Sequence, residues 1–345
     1  MGIALQTMTN ELTHVFLLSV GAFLLAMFLT PIYTFFAYRY RFWKRQRSES
    51  TDGKKLKVFA KFQAAKLRRN IPTMAGVIGV ISIFVVTIFF NLDRAQTWLP
   101  LAALVGGGIV GLIDDIINLR GLGGGAAGLR SPVKFALITL IGVVLGWFFF
   151  AKLGVASFHV PFVGEVNIGW LIVPLFAFAV VATGNAVNIS DGMDGLAGGL
   201  LGISFGAFGV IALLQQHVIL AGFCFTVVGV LLSYLWFNIY PARFFMGDVG
   251  SFAYGASLGV VAMLTDSLLL LPVIGLLFVI EAGSSLTQIV SKKLFKRKIF
   301  LSAPIHHHLE AIGWPETKVT MRFWVIGCVM AFIGVMLALA GGHIA

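Results

Sequence analysis

Ten long apolar runs, separated by shorter polar connections, constrain this chain more than any other feature of its sequence. Hydrophobic residues make up 59% of the 345 residues and charged residues only 11%, whereas soluble domains carry about 25% charged residues. Runs of this length and polarity are typical of membrane-spanning helices. The sequence therefore predicts an all-α polytopic membrane protein with spans at 14–36, 73–90, 98–117, 133–150, 169–184, 194–213, 218–237, 251–270, 272–291 and 321–341.

The positions of the lysines and arginines predict how these spans are oriented. All but two of the 25 basic residues, Arg94 and Lys152, fall in or beside alternate connections. Because loops rich in Lys and Arg stay in the cytoplasm, both termini are predicted to lie outside. The net charge of +11 is explained by these loops and indicates no nucleic-acid partner. We expect one integral membrane domain over residues 1–345, with cytoplasmic loops at 37–72, 118–132, 185–193, 238–250 and 292–320.

The longest polar interruption covers residues 184–195. Amides and acids recur there every third residue, so on a helical turn they would share one side, but glycines at 184, 192 and 195 favour bends in the backbone. The repeating residues are Asn185, Asn188, Asp191 and Asp194. One alternative is that Asp191 and Asp194 only cap the start of the sixth span. Capping and function are compatible, because a helix N-terminus also favours phosphate.

The same cytoplasmic side carries four further polar clusters. They are residues 71–74 around Thr73, the pair Asp114 and Asp115, the stretch from Asn238 to Asp248, and the triplet His306, His307 and His308. Together with residues 184–195, these clusters are predicted to line one cavity that opens to the cytoplasm. On the outer side, residues 151–168 are predicted to form a short hairpin without evident chemistry.

Asp114 and Asp115 end the third predicted span. Neighbours on a helix point about 100° apart, which predicts that the two carboxylates do not share one task. Solvated acids just past a helix end are the alternative. Acids at a helix C-terminus oppose its dipole, and at mid-membrane depth each costs about 2.5–3.5 kcal/mol, so a functional site explains the pair better.

Carboxylates and amides without a thiolate cluster favour Mg²⁺, which takes hard oxygen ligands and completes its shell with water and substrate phosphates. Asp248 offers such a ligand between two glycines that permit close backbone approach. The consecutive histidines do not easily converge on one tetrahedral zinc ion. Donation from imidazole to phosphate or sugar oxygens is therefore the favoured interpretation, with a zinc site and a solvated loop without chemistry as alternatives.

These motifs, in the same order along the chain, resemble those of bacterial phospho-N-acetylmuramoyl-pentapeptide transferases, a family of the polyprenyl-phosphate N-acetylhexosamine-1-phosphate transferase superfamily. The matching segments are Pro72–Gly76, Gly111–Asp115, Asn185–Gly195, Phe245–Ser251, Pro304–Glu310, Gly313–Glu316 and Arg322–Trp324. The resemblance implies ten spans, a homodimer in the bacterial inner (plasma) membrane and a cytoplasmic active site. It also implies Mg²⁺-dependent transfer of phospho-N-acetylmuramoyl-pentapeptide from its UDP-linked donor to undecaprenyl phosphate, giving lipid I and UMP in peptidoglycan synthesis.

The resemblance further implies roles for individual residues. Asp248 and Asn188 would hold Mg²⁺ on the pyrophosphate, and Asp194 would hydrogen-bond the uracil. Asp114 or Asp115 would take or position the proton of the lipid phosphate, whose second pKa is about 6. A covalent route in which Asp248 attacks first stays open. The other substrate-binding residues would be Arg68 or Arg69, Thr73, Lys134, Asn185, Asp191, Asn238, His306, His307 and His308.

Two other functions are compatible with parts of the sequence. A related transferase that uses UDP-N-acetylglucosamine would share the aspartate motifs, but the three histidines argue against it. A transporter or ion channel would explain intramembrane acids. A transport path needs polar residues through the whole membrane, and the outer halves of the spans are almost free of them, with Glu281 as the main exception.

Overall fold

The computed structural model describes residues 2–43, 70–121 and 128–342, and this part of the chain is almost entirely helical. The helices are α1 (Gly2–Arg39), α2 (Gly76–Phe90), α3 (Trp98–Arg120), α4 (Ser131–Leu153), α5 (Ile172–Ser190), α6 (Leu196–Leu214), α7 (Val218–Asn238), α8 (Gly247–Leu264), α9 (Leu271–Ile274), α10 (Leu276–Leu294), α11 (Ile305–Ala311) and α12 (Glu316–Ala340).

The apolar helices confirm the predicted class of an all-α polytopic membrane protein. Within the described ranges, eight helical segments are long and apolar enough to cross a membrane. Helix α10 forms a ninth candidate with the short helices before it across an 81° bend, and α2 is apolar but shorter. Each of these ten segments overlaps one predicted span. The sides on which the termini lie remain a prediction from the basic loops.

Several boundaries were predicted wrongly. The predicted span 251–270 is α8, which begins at Gly247 and ends at Leu264, and the predicted loop 292–320 contains α11 and the start of α12. Helix α5 does not end at Gly184 but continues to Ser190, so most of the predicted loop 185–193 is helical. Gly184 serves close packing instead of a bend, since a Cβ on Gly255 of α8 would lie 2.8 Å from its Cα. The bend lies at residues 191–195, where Gly195 adopts φ +76°. The predicted straight span 272–291 is broken, because the chain turns at Gly275 between α9 and α10.

Helix α8 forms the centre of the bundle. Every residue from Gly247 to Met263 is buried, and the helix packs against α2, α3 and α5. Small residues allow the backbones to approach, as is common between membrane helices. The closest approach is at Gly111 of α3, where any Cβ would collide with the backbone of Asp248. The fold therefore places an acid, Asp248, in the first turn of the central helix.

The two ends of the bundle differ in character. At one end, α3, α5, α7 and α10 finish beside the starts of α4, α6, α8 and α12; we call this the polar end, because the predicted site residues lie there. At the opposite end, strands β1 (Ser157–Val160) and β2 (Gly164–Asn167) pair antiparallel, with Phe158 opposite Val166. The predicted hairpin is thereby confirmed.

Candidate active site

Three carboxylates meet where α3 crosses the start of α8. Asp114, Asp115 and Asp248 are all buried, with at most 6% of any one of them exposed. One carboxylate oxygen from each lies within 4.8 Å of the other two. Because Gly111 has no side chain, the start of α8 lies close to α3, and Asp248 therefore lies beside Asp114 and Asp115. We call these three residues the acid cluster.

The two carboxylates converge although neighbours on a helix point about 100° apart, and the expectation that Asp114 and Asp115 do not share one task stays a prediction. Both side chains turn towards the N-terminus of α8, so an angle of about 100° between them on α3 does not separate their carboxylates. Their hydrogen-bond partners nevertheless differ. Asp114 Oδ1 accepts the backbone N–H of Leu129 at 2.8 Å. Asp115 Oδ2 accepts the backbone N–H of Val249 at 3.1 Å and so ties α3 to α8.

Lys134, near the start of α4, supplies positive charge to the acid cluster. Its Nζ lies 2.6 Å from Asp248 Oδ2 and 3.0 Å from Asp114 Oδ1. One ammonium beside three carboxylates leaves an excess of negative charge in a buried place, which is costly unless further cations are present. Hard oxygen donors at this spacing fit a divalent metal ion of the magnesium or calcium type. Thr73 borders the cluster, because a Cβ on Gly247 would lie 2.6 Å from Asp115 Oδ2 and 2.9 Å from Thr73 Oγ1.

Asn188 and Asn185 on α5 make different hydrogen bonds. The amide of Asn188 donates to Ser251 Oγ at 2.8 Å, one turn after Asp248 on α8. Because this bond uses the amide nitrogen, the side-chain oxygen is the atom of Asn188 that can serve as a ligand. Asn185 donates from its amide to Val181 O at 2.8 Å within its own helix.

The turn between α5 and α6 is held by its own polar residues. Asp194 Oδ2 accepts the Ala242 N–H at 3.0 Å, and the Asp194 N–H donates to Glu316 Oε1 at 2.7 Å. Asn238 Oδ1 accepts the Gly195 N–H at 2.9 Å. The N-cap residue of α6 is Gly195, which has no side chain to cap the helix, and the carboxylate of Asp194 bonds the Ala242 N–H. Asp191 follows the last residue of α5, at the mouth of this turn.

The three histidines lie on or at the start of the short helix α11, and each has a different environment. His306 is fully buried, with Nδ1 2.7 Å from Glu281 Oε2. His307 Nδ1 lies 2.7 Å from Glu310 Oε2. His308 Nδ1 accepts the Leu301 N–H at 3.3 Å. Three different partners are not the arrangement of a shared zinc site.

Burial sets the protonation of His307. Loss of solvent lowers its pKa below the ordinary 6.5, and the neighbouring His306 lowers it further, while Glu310 and Glu281 oppose the shift. The imidazole of His307 is therefore neutral at pH 7. A neutral imidazole still has one N–H donor, as an interaction with a phosphate or sugar oxygen requires.

Glu281 is the functional candidate that the sequence reasoning placed wrongly, as a stray acid in the outer half of a span. It lies on α10 and pairs with His306 of the polar end. The signal in the sequence was a polar stripe at helical spacing along α10, formed by Glu281, Ser284, Gln288 and Ser291. The last three form hydrogen bonds to the backbone just before the histidines. Ser284 accepts the N–H of Ile305, and Gln288 accepts the N–H groups of Ile299 and Phe300. Ser291 donates to the carbonyl oxygen of Arg297.

The polar end thus brings together residues from all five predicted clusters. Contacts run from the acid cluster through Asn188 to the turn at 191–195, and from that turn to the histidines, since a Cβ on Gly192 would collide with the His306 ring. Arg68 and Arg69 lie outside the described residues.

Comparison with known proteins agrees with this arrangement. The model of the family described as glycosyl transferase family 4 matches residues 97–266. A phospho-N-acetylmuramoyl-pentapeptide-transferase of Chloroflexus aggregans is 38% identical over 99% of this chain and 94% of its own length. An enzyme of the same name from Geobacillus thermodenitrificans is 35% identical over 91% of this chain and 94% of its own length. Another from Oceanobacillus iheyensis is 35% identical over 94% of this chain and 98% of its own length. The chain therefore belongs to the phospho-N-acetylmuramoyl-pentapeptide transferase family.

Proposed function

We propose that this protein transfers phospho-N-acetylmuramoyl-pentapeptide from UDP to undecaprenyl phosphate in the bacterial plasma membrane. A phosphate oxygen of the lipid attacks the phosphorus that carries the sugar, the bond between the two phosphates of the donor breaks, and UMP leaves. The products are lipid I and UMP. The observation that carries the proposal is the acid cluster with Lys134, buried at one end of a membrane bundle of this family.

Bringing two anionic phosphates together makes neutralisation and alignment the main demands on the protein. A Mg²⁺ ion held by Asp248, with the Asn188 side-chain oxygen beside it, would supply charge neutralisation on the pyrophosphate. The ammonium of Lys134 is positioned between Asp114 and Asp248 to meet a substrate phosphate. Asp114 or Asp115 accepts or positions the proton of the lipid phosphate, and with a phosphate pKa near 6 this needs no strong base.

Donor recognition is assigned to the turn at 191–195 and to the histidine segment. Asp194 and Asn238 hold the turn by three backbone hydrogen bonds, which presents Asp191 and Asn185 on the same end of the bundle. The side chains of His307 and His308 are partly exposed there, whereas His306 is buried behind them. We assign His307 and His308 to the phosphates or sugar of the donor and His306 to the support of the segment.

The polar end faces the cytoplasm in this proposal, where the UDP-linked donor is made, and both termini lie outside. The basic residues of the polar connections support this orientation. Exposed apolar side chains on α1 and α12 supply the surface for membrane lipid and for a second copy of the chain in a homodimer.

The deciding experiment measures UMP release by purified protein with Mg²⁺, undecaprenyl phosphate and one UDP-sugar at a time. We expect release with UDP-N-acetylmuramoyl-pentapeptide and none above background with UDP-N-acetylglucosamine. The reverse preference would establish the related N-acetylglucosamine-1-phosphate transferase activity instead. No release with either donor would overturn the proposed reaction.

A further inference from the structure

A second group of metal-ligating side chains lies at the end of the bundle opposite the acid cluster. It comprises His159 on β1, Glu165 on β2 and Asp266 in the turn after α8. One ligand atom from each lies within 4.8 Å of the other two. The imidazole is buried, while the side chain of Glu165 is 55% exposed, so the group opens to solvent on one side.

The hydrogen bonds of His159 fix which nitrogen faces the carboxylates. Its Nε2 lies 2.8 Å from the carbonyl oxygen of Gly341, just past the end of α12. A carbonyl oxygen only accepts, so Nε2 carries the hydrogen and Nδ1 faces the acids. The backbone N–H of His159 donates to Asp266 Oδ1 at 2.9 Å, which holds that carboxylate beside the ring. Histidine ligands of metal ions commonly donate their other N–H to a carbonyl in this way.

The distance between His159 Nδ1 and Glu165 Oε1 is 3.4 Å. This exceeds the ordinary length of an N–H···O hydrogen bond, about 2.7–3.2 Å. It matches the separation of about 3.3–3.4 Å between two tetrahedral ligands that each lie about 2.0–2.1 Å from one zinc ion. This separation fits two ligands of one shared ion, and all three ligand atoms of the group lie within 4.8 Å of one another.

We propose that His159, Glu165 and Asp266 bind one divalent transition-metal ion, best satisfied by zinc, with water as the fourth ligand. One imidazole nitrogen and two carboxylates suit zinc, and the two negative charges balance a doubly charged ion. The donor set differs from the acid cluster, which has only oxygen ligands. The ion joins the hairpin to the turn after α8, and through Gly341 to the end of α12.

The test uses full-length protein in detergent, without a histidine tag, stripped with chelator and then held in excess Mg²⁺ so that the acid cluster is saturated. Zn²⁺ is titrated by calorimetry, and Co²⁺ by the visible bands of a tetrahedral cobalt site. We expect the wild type to bind one metal ion tightly per protein chain. His159→Gln and Glu165→Gln should each weaken this binding more than tenfold, and bound Zn²⁺ should raise the melting temperature of the wild type but not of these two variants.

Two control variants separate this site from other ligands. Asp248→Asn disables the acid cluster and should leave this tight binding unchanged. His217→Gln removes another histidine from the same end of the bundle and should also leave it unchanged. Glu165→Gln alters an exposed side chain, so this variant should fold even if His159→Gln does not. Equal zinc affinity in wild type and Glu165→Gln, or no tight binding in the wild type, would overturn the proposal.

Discussion

The carboxylate of Glu281 lies 2.7 Å from Nδ1 of His306, and neither side chain is exposed to solvent. This pair joins the membrane helix α10 to the histidine segment on α11. The three other members of the polar stripe on α10 bond backbone groups of the loop between these helices. The histidine segment is therefore positioned from within the membrane bundle, with Glu281 as an anchor on α10.

The first prediction concerns this anchor. Glu281→Gln keeps the size of the side chain but replaces the carboxyl group that bonds His306 Nδ1 by a carboxamide, which changes the donors and acceptors of this buried hydrogen bond. We expect the KM for the UDP-linked donor to rise more than tenfold, with a smaller effect on the KM for undecaprenyl phosphate. Steady-state UMP release with each substrate varied in turn measures both.

The matched control is Leu286→Ala on the same helix, where the side chain is 63% exposed. It should leave both KM values unchanged. Equal effects of Glu281→Gln on the two KM values would argue for a general loss of structure rather than for positioning of the histidines.

The sequence alone predicted the ten apolar segments and the polar clusters, because hydropathy and charge are local properties. It failed where a contact between distant segments decides the conformation. Gly184 was expected to bend the chain, but α8 packs against it and the helix continues. Glu281 was expected in an outer half-span, but its partner is 25 residues away on α11. Asp114 and Asp115 converge only because Gly111 admits the start of α8.

The second prediction concerns Asp248. Asp248→Asn keeps the shape of the side chain but removes a charged oxygen ligand and the partner of Lys134. We expect UMP release to fall to background while the protein elutes from size exclusion as the wild type does. Asp93→Asn, in the loop between α2 and α3, is the matched control and should keep full turnover. Near-normal turnover of Asp248→Asn at ordinary Mg²⁺ concentrations would contradict the assignment of Asp248 as a metal ligand.

The third prediction separates the neighbours Asp114 and Asp115. Asparagine at either position keeps an oxygen that accepts the backbone N–H of Leu129 or Val249, respectively. Only the change at 114 removes a charge that faces Lys134 directly. We expect the two asparagine variants to differ in kcat by more than tenfold, which corresponds to about 1.4 kcal/mol. Losses of the same size in both variants would contradict separate roles.

The fourth prediction follows from the lowered pKa of His307. Between its folded pKa and the ordinary value of 6.5, the unfolded chain binds more protons than the folded one. The free energy of unfolding therefore falls as the pH drops through 6.5, by at most about 1.4 kcal/mol per pH unit for one proton, and this term levels off below the folded pKa.

His307→Gln removes the titrating group and should flatten this part of the profile. Melting temperatures of both proteins at a series of pH values from 7.5 downwards test the expectation. His14→Gln, near the start of the first predicted span, should reproduce the wild-type profile. A slope that is the same in wild type and His307→Gln would exclude His307 as its source.

The last prediction combines the histidine segment with the proposed zinc site. The ring nitrogens of His306, His307 and His308 bind different partners, so single alanine variants should lose activity unequally, with at least one loss above tenfold. Chelator treatment followed by Mg²⁺ alone should restore wild-type turnover, because the proposed reaction takes its ion at the acid cluster. The melting temperature, in contrast, should recover fully only when Zn²⁺ is added back, because the hairpin site at the other end of the bundle contributes to stability and not to turnover. If turnover itself required Zn²⁺, the histidine segment would have to hold a metal; full activity of the triple alanine variant would instead remove that segment from donor binding.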